Sequence, residues 1–377
     1  MPFLSVLPRI TLCSLAAWLG LIGPASAQLR VGQTAGHSGA VAATVKEATA
    51  GARLVFEQVN ARGGIGGQKI ELVQMDDKFE PALAAANARQ LADQGVIALF
   101  LTRGTPHNQA ILPLLEQARL PLVAPSTGAM LLHQPVNPWV FNVRASYQRE
   151  AERLVRHLLQ TGVSRLAIVQ VADSFGDDGA AGALRGFAPG KPPVAHLKYD
   201  RSKPDFAPVV KQLMGSDAQA VLFVGSGTAV VDGMKALRAG GSAAQLATLS
   251  NNASSGFVKS LGPLAHGVIV SQVLPGERAL AVPLVKEAHD LLAQHPGLAT
   301  EVTPALLEGL VSAKVLVEGL RRAAAARDLS RAGLQQALNG ISKLNLGGLE
   351  LSYSPSDHSG LDYADLSIIG ADGRFKR

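Results

Sequence analysis

Apolar and polar positions along the chain switch repeatedly between two periods. Residues 29–31 open as a strand, and over 44–62 the apolar Ala48, Ala52, Val55, Phe56 and Val59 recur at helical spacing. The run Gly63-Gly64-Ile65-Gly66-Gly67 stops that helix. Strands over 69–75, 96–101 and 120–124 then alternate with helices over 81–94 and 107–118. A second series has the same rhythm. Helices over 149–160, 178–187, 206–214 and 230–239 alternate with strands over 165–171, 194–199, 220–224 and 246–249. A helical turn reaches 261, and a strand covers 267–272. Helices over 281–294, 303–326 and 331–338 follow, then strands over 348–353 and 364–369. Short links between strand and helix predict βαβ units and parallel sheets, an α/β protein in two lobes. The long helices after the second series either return to the first lobe or form a small third domain.

The first 27 residues break this rhythm. Arg9 is their only charge, an apolar run covers 10–22, and Ala25-Ser26-Ala27 follows. A positive start, an apolar stretch and an A-x-A site predict a secretory signal peptide cleaved after Ala27. The run is shorter than the roughly 20 residues that span a bilayer. Cys13, the chain's one cysteine, lies inside this leader with Leu12 before it, so neither lipidation nor a disulfide is expected. The remaining 350 residues are too many for one ordinary core and suit two.

Composition narrows the function classes. The chain is 47% hydrophobic and 17% charged, as packed layers require and disorder does not. Its net charge of +6 becomes +5 without Arg9, and the basic residues are scattered among acids. No nucleic-acid partner is expected. The glycine run at 63–67 follows a helix and precedes a strand, the reverse of a dinucleotide fingerprint. The chain has no G-x-S-x-G elbow and no phosphate loop. Its histidines are dispersed, and His289 and His295 lack an H-E-x-x-H frame. No enzyme activity, metal or cofactor is expected.

Phe56-Glu57-Gln58-Val59-Asn60-Ala61-Arg62-Gly63-Gly64-Ile65-Gly66-Gly67 resembles the F-x-x-x-N-x-x-G-G-I-x-G stretch of branched-chain amino-acid-type solute-binding proteins, the type I periplasmic binding fold. The likeness continues in order through Gln74-Met75-Asp76-Asp77, Ala86-Asn87-Ala88-Arg89, Gly104-Thr105-Pro106, Pro121-Leu122-Val123-Ala124-Pro125, Phe141-Asn142-Val143-Arg144 and Asp173-Ser174-Phe175-Gly176. The resemblance implies two Rossmann-like lobes joined by three crossovers, one holding 28–142 and 274–347, the other 143–273 and 348–377. It implies a periplasmic, monomeric receptor that closes on a small polar solute, an amino acid or a related carboxylate or amide. The receptor would deliver that solute to an ABC permease in the inner membrane, or report it to a regulator or kinase.

Open α/β sheets place ligands at the carboxyl ends of their strands, where helix N-termini favour anionic groups. On the first lobe that selects the loop containing Ser38, the loop Arg103-Gly104-Thr105, and the loop Ser126-Thr127-Gly128. The resemblance implies that the Thr105 and 126–128 regions hold a carboxylate through hydroxyls and backbone N–H groups; the same hydroxyls also suit helix caps. Arg103 either clamps a carboxylate or points to solvent. Asp76-Asp77 fits a helix cap better than a ligand contact. On the second lobe Asp173 and Phe175 follow a strand, with Phe175 either an aromatic lid or core. Ser226 and Gly227 match a place where relatives often carry tyrosine. Ser250 and Asn251 match the loop where amino-acid binders carry a glutamate for the ammonium group. Here Ser250 stands in its place, so either Asp173 substitutes or the ligand lacks an ammonium.

Overall fold

The structure is a computed structural model and describes residues 28–377. The expected leader, with its cleavage site, lies outside the described residues. In the first series, strands β1 (Leu29–Ala35), β2 (Ile70–Asp76), β3 (Ala98–Phe100), β4 (Leu122–Val123) and β5 (Val140–Phe141) make one parallel sheet, ordered β2-β1-β3-β4-β5. Helices α1 (Ala42–Ala61), α2 (Pro81–Asp93) and α3 (Thr105–Gln117) connect its strands.

The second series comprises α4 (Tyr147–Gln160), β6 (Leu166–Val171), α5 (Ser174–Gly186), β7 (Ala195–Tyr199), α6 (Ala207–Gly215), β8 (Ala220–Val224), α7 (Gly227–Ala239), β9 (Gln245–Thr248), α8 (Ser255–Leu261) and β10 (Ile269–Gln272). Then come α9 (Pro283–Gln294), α10 (Pro304–Ala325), α11 (Arg331–Asn339), a hairpin of β11 (Leu344–Asn345) and β12 (Glu350–Leu351), and finally β13 (Asp365–Ile369) and β14 (Phe375–Lys376). The second sheet is ordered β14-β13-β10-β9-β8-β6-β7. Its last two strands pair antiparallel, so this sheet is mixed.

Two cores explain the division into lobes. One gathers Leu54, Phe56, Phe100 and Phe141 with Leu306, Leu310 and Leu316 of the long helix α10. The other gathers Leu154, Ile168, Phe223 and Leu237. Helix α10 reaches α1 by backbone contact. A Cβ on Gly309 would lie 1.7 Å from the Ala48 carbonyl oxygen, and one on Gly51 would lie 1.9 Å from that of Leu306. Nothing larger than hydrogen fits at this crossing.

The structure departs from the sequence expectations in four places. The final crossover comes later than 348: Leu351, Tyr353 and Leu361 belong to the first core, and Tyr353 Oη donates to the Asn142 carbonyl at 2.6 Å. The apolar alternation at 349–353 faces that core, and its strand β12 meets only β11. Helix α5 begins at Ser174 and not at 178, because the Asp173 carboxylate accepts from Phe175 N at 2.9 Å and Gly176 N at 3.2 Å. Strands β5, β11 and β14, two residues each, carry no period of their own and were not expected.

Candidate ligand-binding site between the lobes

Strands β3 and β4 end in residues of unusual conformation. Leu101 and Ala124 both have φ of 52°, in the left-handed region that costs a non-glycine residue about 1 kcal/mol or more. Each turns the chain sharply at the carboxyl end of its strand, into Thr102-Arg103 and Pro125-Ser126. Ser126 N donates to the Thr102 carbonyl at 2.7 Å, which locks the two loops side by side.

From there Arg103 crosses the cleft. Its Nη1 donates to Ser126 Oγ at 3.0 Å, and its Nη2 donates to the Asn251 carbonyl of the other lobe at 2.6 Å. The residue is only 4% exposed. Burial lowers its pKa, with Tyr147 and Glu308 opposing and Arg144 adding to the fall. Its hydrogen bonds all go to neutral groups.

Below Arg103 lies a charged network that the sequence did not single out. Arg144, in the segment between the lobes, meets Glu150 at the start of α4 and lies 3.6 Å from Glu308 of α10. Its Nη2 also donates to Ser250 Oγ at 2.5 Å, and its guanidinium carbon sits 4.6 Å from the Tyr147 ring centre. Burial opposes the charge on Arg144, but Glu308, Tyr147 and Glu150 outweigh it and raise the pKa. The other Glu150 oxygen accepts from Ser271 Oγ at 2.6 Å and Ser250 N at 3.1 Å. Glu308 accepts from Ser126 Oγ at 2.8 Å. Arg144 Nε and Nη1 and Asn251 Oδ1 are buried with no hydrogen-bond partner.

Two rims flank this floor. On one, Phe79 and His107 stack at 4.4 Å, and Arg201 of the second lobe lies over Phe79 at 5.0 Å while pairing with Asp173. Burial pushes His107 down to about 4, so the ring is neutral. On the other rim, Thr44 Oγ1 donates to Ser254 Oγ at 3.0 Å, and Glu47 accepts from Ser255 and Gly256. Gly227, at φ 57°, brings the second lobe against Ala40. On the first-lobe side, beside Arg103, the void bounded by Gln33, Val45, Ala48, Leu101, Arg103 and Ser126 measures about 10 Å³, room for one water. A groove of about 740 Å³ lies elsewhere, on the outside of the second lobe between α4 and β13, and none of the candidate residues lines it.

The candidate residues thus separate. Arg103, Ser126, Ser226, Ser250 and Asn251 join one network, in which Asn251 Nδ2 donates to Ser226 Oγ at 3.1 Å. Thr105 and Thr127 share a hydrogen bond of 2.8 Å beside it. Gly104, at φ 97°, lets the chain pass close to His107 and Phe79. Asp173 is occupied by its helix cap and by Arg201. Three residues stand apart from the floor. Ser38 is exposed and donates to Asp76, Gly128 packs against the backbone of Ala145 and Tyr147, and Phe175 is buried in the second core against Tyr147. Phe175 is therefore core and not a lid, because α5 begins early enough to turn it inward. Asp76 and Asp77 hold the turn before α2, accepting from the backbone N–H of Lys78 and Phe79. Glu308 carries the one sequence signal that pointed here unread: an acid within the apolar run Leu306-Leu307-Glu308-Gly309-Leu310. Among the described residues, no group of three or more His, Cys, Asp or Glu is placed to hold a metal ion.

Two α/β lobes, each with its own core, whose strand-end loops meet over a buried polar floor, define a two-lobed binding protein. A family profile described as periplasmic binding protein matches residues 28–367, and the chain belongs to that family, as a type I member of the branched-chain amino-acid kind. The family so described is one of binding proteins. A substrate-binding periplasmic protein of Ralstonia solanacearum superposes with a TM-score of 0.85 at 30% identity, covering 93% of this chain and 99% of that one. A possible leucine/isoleucine/valine-binding protein of Rhodopirellula baltica gives 0.87 at 26% identity, covering 94% and 98%. An amino acid binding protein of Pseudomonas aeruginosa is 28% identical over 217 residues, 55% of this chain and 56% of that protein. The chain thus aligns with little more than half the length of the curated relatives it matches. Among the described residues, no helix is long and apolar enough to cross a membrane.

Proposed function

We propose that the protein captures a small polar solute in the periplasm by hinge closure and hands it to an ABC permease. The observation that carries this is the Arg103 bridge: a side chain from the tip of one sheet donates to the backbone at the tip of the other. A solute that touches both tips favours the arrangement in which they meet, by its differential affinity for it. The loops at 103–105, 126–127, 226–227 and 250–251 are the proposed contacts, and the segments at 143–146, 272–275 and 361–365 the hinges. Export with cleavage after Ala27, and a monomeric state, complete the proposal.

A thermal-shift screen of amino acids, carboxylates and amides on ligand-stripped protein tests it. A true ligand at 100 times its dissociation constant stabilises by about 2.7 kcal/mol, which raises the melting temperature by several degrees. Small-angle scattering with that ligand should show compaction. A tight ligand that leaves the radius of gyration unchanged rules out closure.

A further inference from the structure

We infer that the ligand is a carboxylic acid with an apolar body and no α-ammonium group, and that Arg103 is the residue that selects it. This deepens the solute-receptor proposal and rests on it. A guanidinium that is 4% exposed has lost most of its hydration, and such a charge is ordinarily matched by an acid. Arg103 donates only to a serine hydroxyl and a peptide carbonyl. The two nearby acids are turned elsewhere. Glu150 is filled by Arg144, Ser250 N and Ser271, and Glu308 by Ser126 and Arg144. An incoming carboxylate would give Arg103 the bidentate anionic partner it lacks.

The second lobe shows why an ammonium is disfavoured. At Ser250, on the tip of the second lobe, the hydroxyl is 2.5 Å from Arg144 Nη2, and the backbone N is held by Glu150 and Ser271. A ligand ammonium brought there would face a guanidinium. The remaining wall offers Val45, Ala48 and Leu101 to a hydrocarbon body. The void beside Arg103 holds only about 10 Å³, too little for such a body, and a carboxylate reaching Nη2 must replace its hydrogen bond to the Asn251 carbonyl.

Calorimetric titration of ligand-stripped protein with matched sets tests the inference: leucine, 4-methyl-2-oxopentanoate, 4-methylpentanoate and 4-methylpentanamide, and the corresponding phenylalanine series. The expected result is that the acids without ammonium bind at least tenfold more tightly than their amino acids or amides. Arg103→Gln should weaken the acids at least thirtyfold while the melting temperature holds, and Arg103→Lys should recover part of the loss. Tighter binding of the amino acids, equal binding by Arg103→Gln, or binding of amides alone overturns the ligand class and leaves the receptor proposal standing. Binding of none of these compounds, with no solute in the wider screen shifting the melting temperature, overturns both.

Discussion

Gly227 offers the sharpest separation between folding and lobe closure. A Cβ added there would lie 1.9 Å from the carbonyl oxygen of Ala40, which belongs to the opposite lobe. Contacts below 3.0 Å are essentially never seen for real Cβ atoms, so in Gly227→Ala the two loops must part by about 1 Å. That separation breaks the Thr228 N to Ala40 O hydrogen bond and loosens Thr44–Ser254 and the three hydrogen bonds Glu47 accepts from α8. Neutral hydrogen bonds are worth about 1 kcal/mol each and charge-assisted ones about twice that. Losing the first and weakening the rest costs about 3 kcal/mol, roughly a hundredfold in the closed-to-open ratio. Alanine at φ 57° adds about 1–2 kcal/mol of local strain whether the lobes touch or not. The melting temperature should therefore fall by only a few degrees. The assay is a pair of spin labels on Lys46→Cys of α1 and Lys259→Cys of α8, introduced into a chain without Cys13, so these are the only thiols. The parent protein should populate a short inter-label distance, more so with ligand, and Gly227→Ala should lose it. An identical distance distribution in the variant would refute the proposed closure contact.

Glu150→Ala leaves the buried Arg144 with Glu308, at 3.6 Å, as its remaining acid; about 3 kcal/mol of stability should be lost, seen as a melting temperature roughly 10 °C lower. Gly309→Ala sets a methyl 1.7 Å from the Ala48 carbonyl oxygen, so α1 and α10 must separate, and overpacking of this kind costs about 1–3 kcal/mol or more; an unchanged urea midpoint would contradict the tight crossing. Burial raises Asp77 to about 6, above its ordinary value of 3.8. The folded state then holds the proton more tightly than the unfolded chain, so the cost of this group grows as pH rises from about 4 through 6 and is complete above, at about 3 kcal/mol. Asp77→Asn should gain stability over the parent at pH 8 and little at pH 4.5, and a gain independent of pH would exclude the assignment. His133 has the opposite sign: burial lowers it to about 4, so its contribution is lost as pH falls from about 6.5 toward 4. His133→Leu should flatten that acid limb in urea titrations.

Much of this protein was legible along the chain because the signals are local. The periods of two and 3.6 report which side of each element is buried, and they placed α1, α2, β6, β8 and α10 within a few residues. The ordered motifs from Phe56 to Gly176 carried the family. The loops bearing Arg103 and Ser126 were singled out because strand ends and helix starts mark themselves, and those bearing Ser226, Ser250 and Asn251 because of the family resemblance. What those loops do to one another was decided by tertiary structure alone. Arg103 meets a residue 148 positions away, and Ser126 meets one 182 positions away. Nothing in the neighbourhood of either tells whether a guanidinium reaches solvent or a second lobe. Phe175 became core through a cap that starts its helix early, and β5 and β14 are strands only because a neighbour pairs with them. A chain's periodicity records the face each segment buries; its partners are chosen by packing across long separations, where sequence distance carries no information.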